Sequence, residues 1–121
     1  MKLFVDDIRN APDETWLTAR TIRAAINALD TFEFDLVSLD HDISHQIAMG
    51  TASRPYPCEE TFAPVASYIG ATSRARKIKP EIIIHTANPV GANILANICK
   101  RYDLQYQIKP YPAANRLETQ I

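Results

Sequence analysis

Four short apolar runs, Leu3-Phe4-Val5, Leu36-Val37-Ser38-Leu39, Ile82-Ile83-Ile84 and Tyr106-Gln107-Ile108, each halt at a polar residue or cluster: Asp6-Asp7, Asp40-His41-Asp42, His85-Thr86 and Lys109. Short β-rich runs separated by stretches of helical period fit the strands of a parallel sheet. Ligands of such sheets bind outside the carboxyl ends of the strands. The four polar groups therefore converge on one place, which has the outline of an active site.

The stretches between the runs supply the rest of the fold. A strand is expected from Lys2 to Val5, then a polar loop from Ile8 to Thr15 and a weaker strand from Trp16 to Arg20. Ile22, Ala25, Ile26 and Leu29 form one stripe at helical spacing, and Phe62, Val65, Ala66 and Ile69 repeat it. Pro64 is tolerable in the second stripe only because it lies in the first turn. Phe34 to Leu39 is the central strand, Glu81 to Ile84 a buried one, and Leu104 to Ile108 the last. Asn88-Pro89 marks a helix start, with Asn suited to the N-cap and Pro to the first helical position. Ile43 to Glu60 has no sustained period and contains Gly50, Pro55 and Pro57; connections of this length tend to be lids or binding loops. Tyr111 to Ile121 reads as a short tail.

The expectation is an α/β fold, a single domain over residues 1–121, with a parallel sheet of about five strands. With the flavodoxin-like strand order 2-1-3-4-5, right-handed crossovers place all three helices on one face. The other face lacks the helices that normally follow the first and fifth strands. It is expected to be buried by a homodimer contact, or partly by the tail and Trp16, because an exposed apolar sheet is an aggregation hazard.

A net charge of −1 gives no long-range attraction to polyanions, which argues against coating nucleic acid or a membrane surface. Arg74, Arg76, Lys77 and Lys79 remain as a local basic patch. No apolar stretch approaches the ~20 residues needed to span a bilayer. The run after Met1 stops at Asp6, too early for a signal peptide. Cys58 and Cys99 lack metal-type spacing and read as reduced thiols of a cytoplasmic protein.

Asp6 and Asp7 beside Asp40 and Asp42 would raise one another's pKa unless a cation or a proton intervened. A divalent ion is the natural solution. Oxygen ligands suit Mg²⁺ or Mn²⁺, and imidazoles would admit Mn²⁺, Fe²⁺ or Zn²⁺. Capping and turn formation at loop starts is the alternative use of these acids. His41 and His85, after adjacent strands, form a candidate base and acid for phosphoester cleavage, or else metal ligands or rings satisfied by local backbone. Thr86 and the helix start at Asn88 suit a phosphate, and Arg9 and Lys109 suit a phosphoryl group's charge.

Val5-Asp6-Asp7 resembles the acidic pair of two-component receiver domains, and Asp35-Leu36-Val37-Ser38-Leu39-Asp40 resembles the receiver strand that ends in the phosphoacceptor aspartate, here Asp40. Thr86-Ala87 resembles the switch threonine and its small neighbour, and Lys109-Pro110 the receiver lysine-proline step. The likeness spans Lys2 to Pro110. Ordinary receivers do not place His-Asp after the phosphoacceptor or His before the switch residue. Asp6-Asp7-x-Arg9, Ser38-Leu39-Asp40-His41-Asp42 and His85-Thr86-x-Asn88-Pro89-x-Gly91 together resemble the cyclic-phosphate-processing receiver-like family of bacteria and their phages. Ile43-Ser44 departs from that family, which usually has Leu-Gly there.

The resemblance implies a receiver-like fold and a metal-assisted phosphoesterase of bacterial or phage origin. Its substrate would be a small phosphorylated ligand, a cyclic nucleotide, or an RNA cyclic-phosphate end. Asp6, Asp7, Asp40 and Asp42 would hold the metal. Asp40, His41 and His85 would be catalytic, and Arg9, Thr86, Asn88 and Lys109 would bind phosphate. Two alternatives stay open: a signalling module phosphorylated on Asp40, and a non-catalytic binder of a nucleotide or a protein.

Overall fold

A computed structural model of the chain describes residues 1–43 and 61–110. The expected lid, beyond its first residue, and the expected tail lie outside the described residues. The elements are β1 (Lys2–Val5), β2 (Trp16–Ala19), α1 (Ile22–Thr31), β3 (Leu36–Leu39), α2 (Ala63–Thr72) with a 3₁₀ turn (Ser73–Ala75), β4 (Glu81–Ile84), α3 (Pro89–Arg101) and β5 (Tyr106–Ile108). The five strands form one parallel sheet in the order β2-β1-β3-β4-β5, the flavodoxin-like and receiver-like arrangement.

Local chemistry sets the helix limits. The Thr21 hydroxyl accepts a hydrogen bond from the Ala24 amide and starts α1. α2 has no side-chain cap, but Pro64 lies in its first turn, where no amide is needed. The Asn88 side chain accepts from the Val90 amide and starts α3. α3 ends where Asp103 takes a left-handed conformation (φ 59°) and the Leu104 amide turns back to the Cys99 carbonyl. That bond explains why β5 begins at Tyr106 rather than at Leu104: the earlier residues finish the helix.

Side chains alternate across a strand. Leu3, Val5, Val37, Leu39, Ile82 and Ile84 accordingly share one face, all fully buried in the core. Ala25 and Leu29 of α1, Val65 and Ile69 of α2, and Leu95 and Cys99 of α3 pack into the same core, so the three helices form a single layer. Burial pushes the Cys99 thiol up to about 11, which makes it a packing residue rather than a nucleophile. On the opposite face Phe4 and Ser38 are also buried, while Trp16, Leu36 and Ile83 are half-buried. Trp16 stands edge-on to Phe4 with centroids 6.0 Å apart, and the Lys2 ammonium lies 5.0 Å from the Trp16 ring centroid. No helix among the described residues is long and apolar enough to cross a membrane.

Candidate functional site

The sheet register builds the site. Val5, Leu39 and Ile84 are paired neighbours at the ends of β1, β3 and β4, so Asp6, Asp40 and His85 come next in line. The ladder runs one residue further: the Asp40 amide donates to the Val5 carbonyl at 3.0 Å and the His85 amide to the Leu39 carbonyl at 2.9 Å. Alternation then sends all three side chains to the face opposite the helices. All three are buried, and each offers a ligand atom within 4.8 Å of the others.

His85 is held from three sides. Its Nε2 lies 3.0 Å from Asp6 Oδ2, its Nδ1 lies 2.7 Å from Ser38 Oγ, and its ring stacks on Phe4 at 4.6 Å with an interplanar angle of 3°. Asp6 Oδ1 accepts from the amides of Ile8 (2.9 Å) and Arg9 (2.8 Å). The Arg9 guanidinium bridges the two carboxylates, with Nη1 3.4 Å from Asp6 Oδ2 and 3.2 Å from Asp40 Oδ2.

These contacts separate the two acids. Burial pushes Asp6 upward, but the His85 hydrogen bond, the Ile8 and Arg9 amides and the His85 charge outweigh it and hold its carboxyl below the ordinary range. Asp40 goes the other way. Burial and the Asp6 charge raise it, against the His41 amide and the charges of His85 and Arg9. The two carboxyls are therefore pushed apart, Asp6 towards the ionised form and Asp40, chiefly by burial, towards the protonated one.

A cavity of about 230 Å³ opens beside them, lined by Asp6, Asp7, Ile8, Arg9, Asp40, Asp42, Thr86, Ala87 and Asn88. Of the residues expected from sequence to bind metal or phosphate, all but Lys109 meet here. Lys109 is exposed after β5, its amide bonded to the Ile84 carbonyl, and its side chain does not line the cavity. Thr86 is buried and its Oγ1 accepts from the Asn88 amide at 3.2 Å. The Asn88 amide group donates to Asp42 at 3.3 and 3.4 Å, tying the α3 start to the end of β3.

His41 and His85 do not face each other, although their strands are adjacent. The cause is again alternation: His85 shares the side of Asp40, and His41, one residue later, turns towards the helices. Its Nδ1 lies 2.7 Å from Asp42 Oδ1, and its ring packs so closely on Gly91 that a Cβ there would sit 2.5 Å from Nδ1. We expect Gly91→Ala to cost about 1–3 kcal/mol by overpacking. A lowered urea midpoint and displaced His41 resonances would register it; unchanged values would contradict the close packing.

Sequence reasoning missed two residues. Arg20, just past β2, donates through Nη1 to the Arg9 carbonyl at 2.6 Å and the Asp6 carbonyl at 3.3 Å, and through Nη2 to Asn10 Oδ1 at 2.8 Å. It thereby clamps the loop that carries Arg9. The available signal was a cation at the carboxyl end of a strand beside the acidic pair. Ser38 is the second, a lone hydroxyl inside an apolar run.

A family model for the cyclic-phosphate processing receiver domain matches residues 1–101, every described element except β5. No curated protein matches the chain.

Proposed function

The chain belongs to the cyclic-phosphate processing receiver domain family, and on that premise we propose that it is a metal-assisted phosphoesterase that opens a cyclic phosphate on a nucleotide or at an RNA end. The observation that carries this reading is the meeting of buried Asp6, Asp40 and His85 beside a cavity lined by Arg9, Thr86 and Asn88.

The donor set fits a divalent cation. Two carboxylate oxygens and an imidazole nitrogen lie within ligand reach of one another, and a cation there would offset the burial and the Asp6 charge that raise Asp40. Asp6, Asp40 and His85 would hold the cation, with Asp7 and Asp42 on the wall of the same cavity. When bound, it supplies a Lewis acid for the phosphoryl oxygens and a water of lowered pKa.

The chain's own residues do the rest. Arg9 and the Thr86 hydroxyl bind phosphoryl oxygens, and Arg9 offsets the charge that develops there. Asp42 faces the cavity and takes the proton of the attacking water, while His41 behind it shares that proton through their 2.7 Å bond; the ring P–O bond to the leaving oxygen breaks, and that oxygen is protonated by solvent water. His41 therefore acts through Asp42, and Asn88 fixes the Asp42 rotamer. His85 serves as a ligand rather than as the acid.

Arg9 holds Asp6 Oδ2 and Asp40 Oδ2, on two of the residues that would hold the cation, and its positive charge would oppose that of the ion. Arg9→Gln is thus expected to tighten Mn²⁺ binding about tenfold while weakening that of a cyclic nucleotide. Calorimetric titration with each checks the opposite signs; a loss of both affinities would make Arg9 a structural residue.

Phosphorus NMR with Mn²⁺ or Mg²⁺ and a panel of 2′,3′- and 3′,5′-cyclic nucleotides tests the reading as a whole. Ring opening that vanishes in Asp40→Asn supports it. Intact cyclic phosphates, together with a one-phosphoryl mass gain on Asp40 from a small phosphodonor, would replace it with signalling.

A further inference from the structure

Ser38 is a buried hydroxyl in the middle of β3 that the reaction as described does not use. Its Oγ lies 2.7 Å from His85 Nδ1, on the far side of the ring from the Nε2 that meets Asp6. Phe4, paired with Ser38 across β1 and β3, stacks on the same ring. Stacking holds the ring plane and the Ser38 bond holds its rotation, so Nε2 is aimed between Asp6 and Asp40.

Hydrogen-bond complementarity ties the tautomer to what Nε2 faces. A carboxylate only accepts, so Nε2 against Asp6 carries a hydrogen, and the Ser38 hydroxyl can donate to an Nδ1 that carries none. A hydroxyl can also accept. Rotating it suits the opposite tautomer, in which Nδ1–H donates to Ser38 Oγ and Nε2 presents a lone pair to the carboxylates. A backbone carbonyl or amide in that place would permit only one of the two.

We propose that Ser38 is a positioning residue: donating to Nδ1 or accepting from it, Ser38 keeps the ring turned so that Nε2 can serve as a nitrogen ligand that selects Zn²⁺, Mn²⁺ or Fe²⁺ over Mg²⁺. A cation on Nε2 would displace the hydrogen there to solvent, and the hydrogen then on Nδ1 would be donated to Ser38 Oγ. Selection follows because imidazole suits the transition ions, whereas Mg²⁺ prefers oxygen ligands and keeps its waters. The inference rests on the cation of the proposed function and adds which cation it is.

The test needs no substrate. The chain is titrated with Zn²⁺ and with Mg²⁺ by calorimetry, and long-range ¹H–¹⁵N spectra report the tautomers of its three histidines, assigned with His85→Asn. Without metal His85 is expected as Nε2–H, and Zn²⁺ is expected to convert it to Nδ1–H. Ser38→Ala should weaken Zn²⁺ binding about 10–100-fold and leave Mg²⁺ binding nearly unchanged, while Ser38→Thr, which keeps the hydroxyl, should retain Zn²⁺ binding. Zn²⁺ binding with the His85 signals unmoved, or a folded Ser38→Ala that binds Zn²⁺ as well as the wild type, overturns the inference and leaves a carboxylate site standing. Failure of the wild type to bind either cation overturns both readings. If Ser38→Ala does not fold, the wild-type spectra and Ser38→Thr decide.

Discussion

Asp40→Asn is expected to abolish ring opening while leaving the folded chain at least as stable as the wild type. The carboxylate is buried and pushed up by that burial and by the Asp6 charge, so its ionised form is a cost the fold carries for function. Asparagine removes the charge and keeps an oxygen to accept the His41 amide, 2.7 Å from Oδ1 in the wild type. It also removes a carboxylate that would hold the proposed cation. We expect a turnover loss of about 10³-fold or more and a stability gain of about 0.5–2 kcal/mol. Phosphorus NMR and urea denaturation at pH 7 give the two numbers, and a less stable variant would contradict the charge argument.

The same acid sets a pH dependence. The folded pKa of Asp40 lies above its ordinary value of 3.8, so its contribution to stability is complete below that value and is lost as pH rises through the folded one. Asp6 is depressed, so its contribution is present above 3.8 and disappears as pH falls through its folded value. A cation needs both groups ionised. The rise in melting temperature produced by Mn²⁺ should therefore be largest at neutral pH and shrink as pH drops through the folded pKa of Asp40. A rise that stays constant down to pH 3.8 would place the ion elsewhere.

Asp6→Ala is the counterpart, with the opposite sign on stability. Asp6 is fully buried and accepts from the Ile8 and Arg9 amides, from His85 Nε2 and from the Arg9 guanidinium. Alanine strands these donors and frees the loop that Arg20 clamps. The expected loss is about 3–5 kcal/mol, and Asp6→Asn, which keeps an acceptor for the two amides, should lose about half as much. Urea midpoints of the two variants check this. A loss from alanine of under about 1 kcal/mol would mean that water replaces the carboxylate without penalty.

Element order and site position were legible because several signals agreed at each place. Asn88-Pro89 starts α3 as its chemistry predicts, and Glu81–Ile84 is a strand from end to end. What sequence could not supply was direction past the strand ends. Whether His41 meets His85 depends on how far extension persists after Leu39, and the register shows that it persists far enough to part them. Asp42 was equally ambiguous. Alternation alone would set it beside Asp40, but it pairs with Thr61 in an antiparallel bridge and stands half-exposed on the cavity wall. Arg20 was missed because two of its three partners are backbone carbonyls on a neighbouring strand's loop, which carry no residue signature.

The order of the strands has a consequence for how the site opens in time. β1 and β3 are paired on both sides and deliver Asp6 and Asp40, whereas β5 is a three-residue edge strand and delivers Lys109. Amide hydrogens of the inner strands should exchange with solvent only in global unfolding, and those of β5 by local fraying. The negative half of the site is thus anchored to the slowest-opening part of the molecule. The outlying lysine follows an edge strand, where its position can change without disturbing the acids.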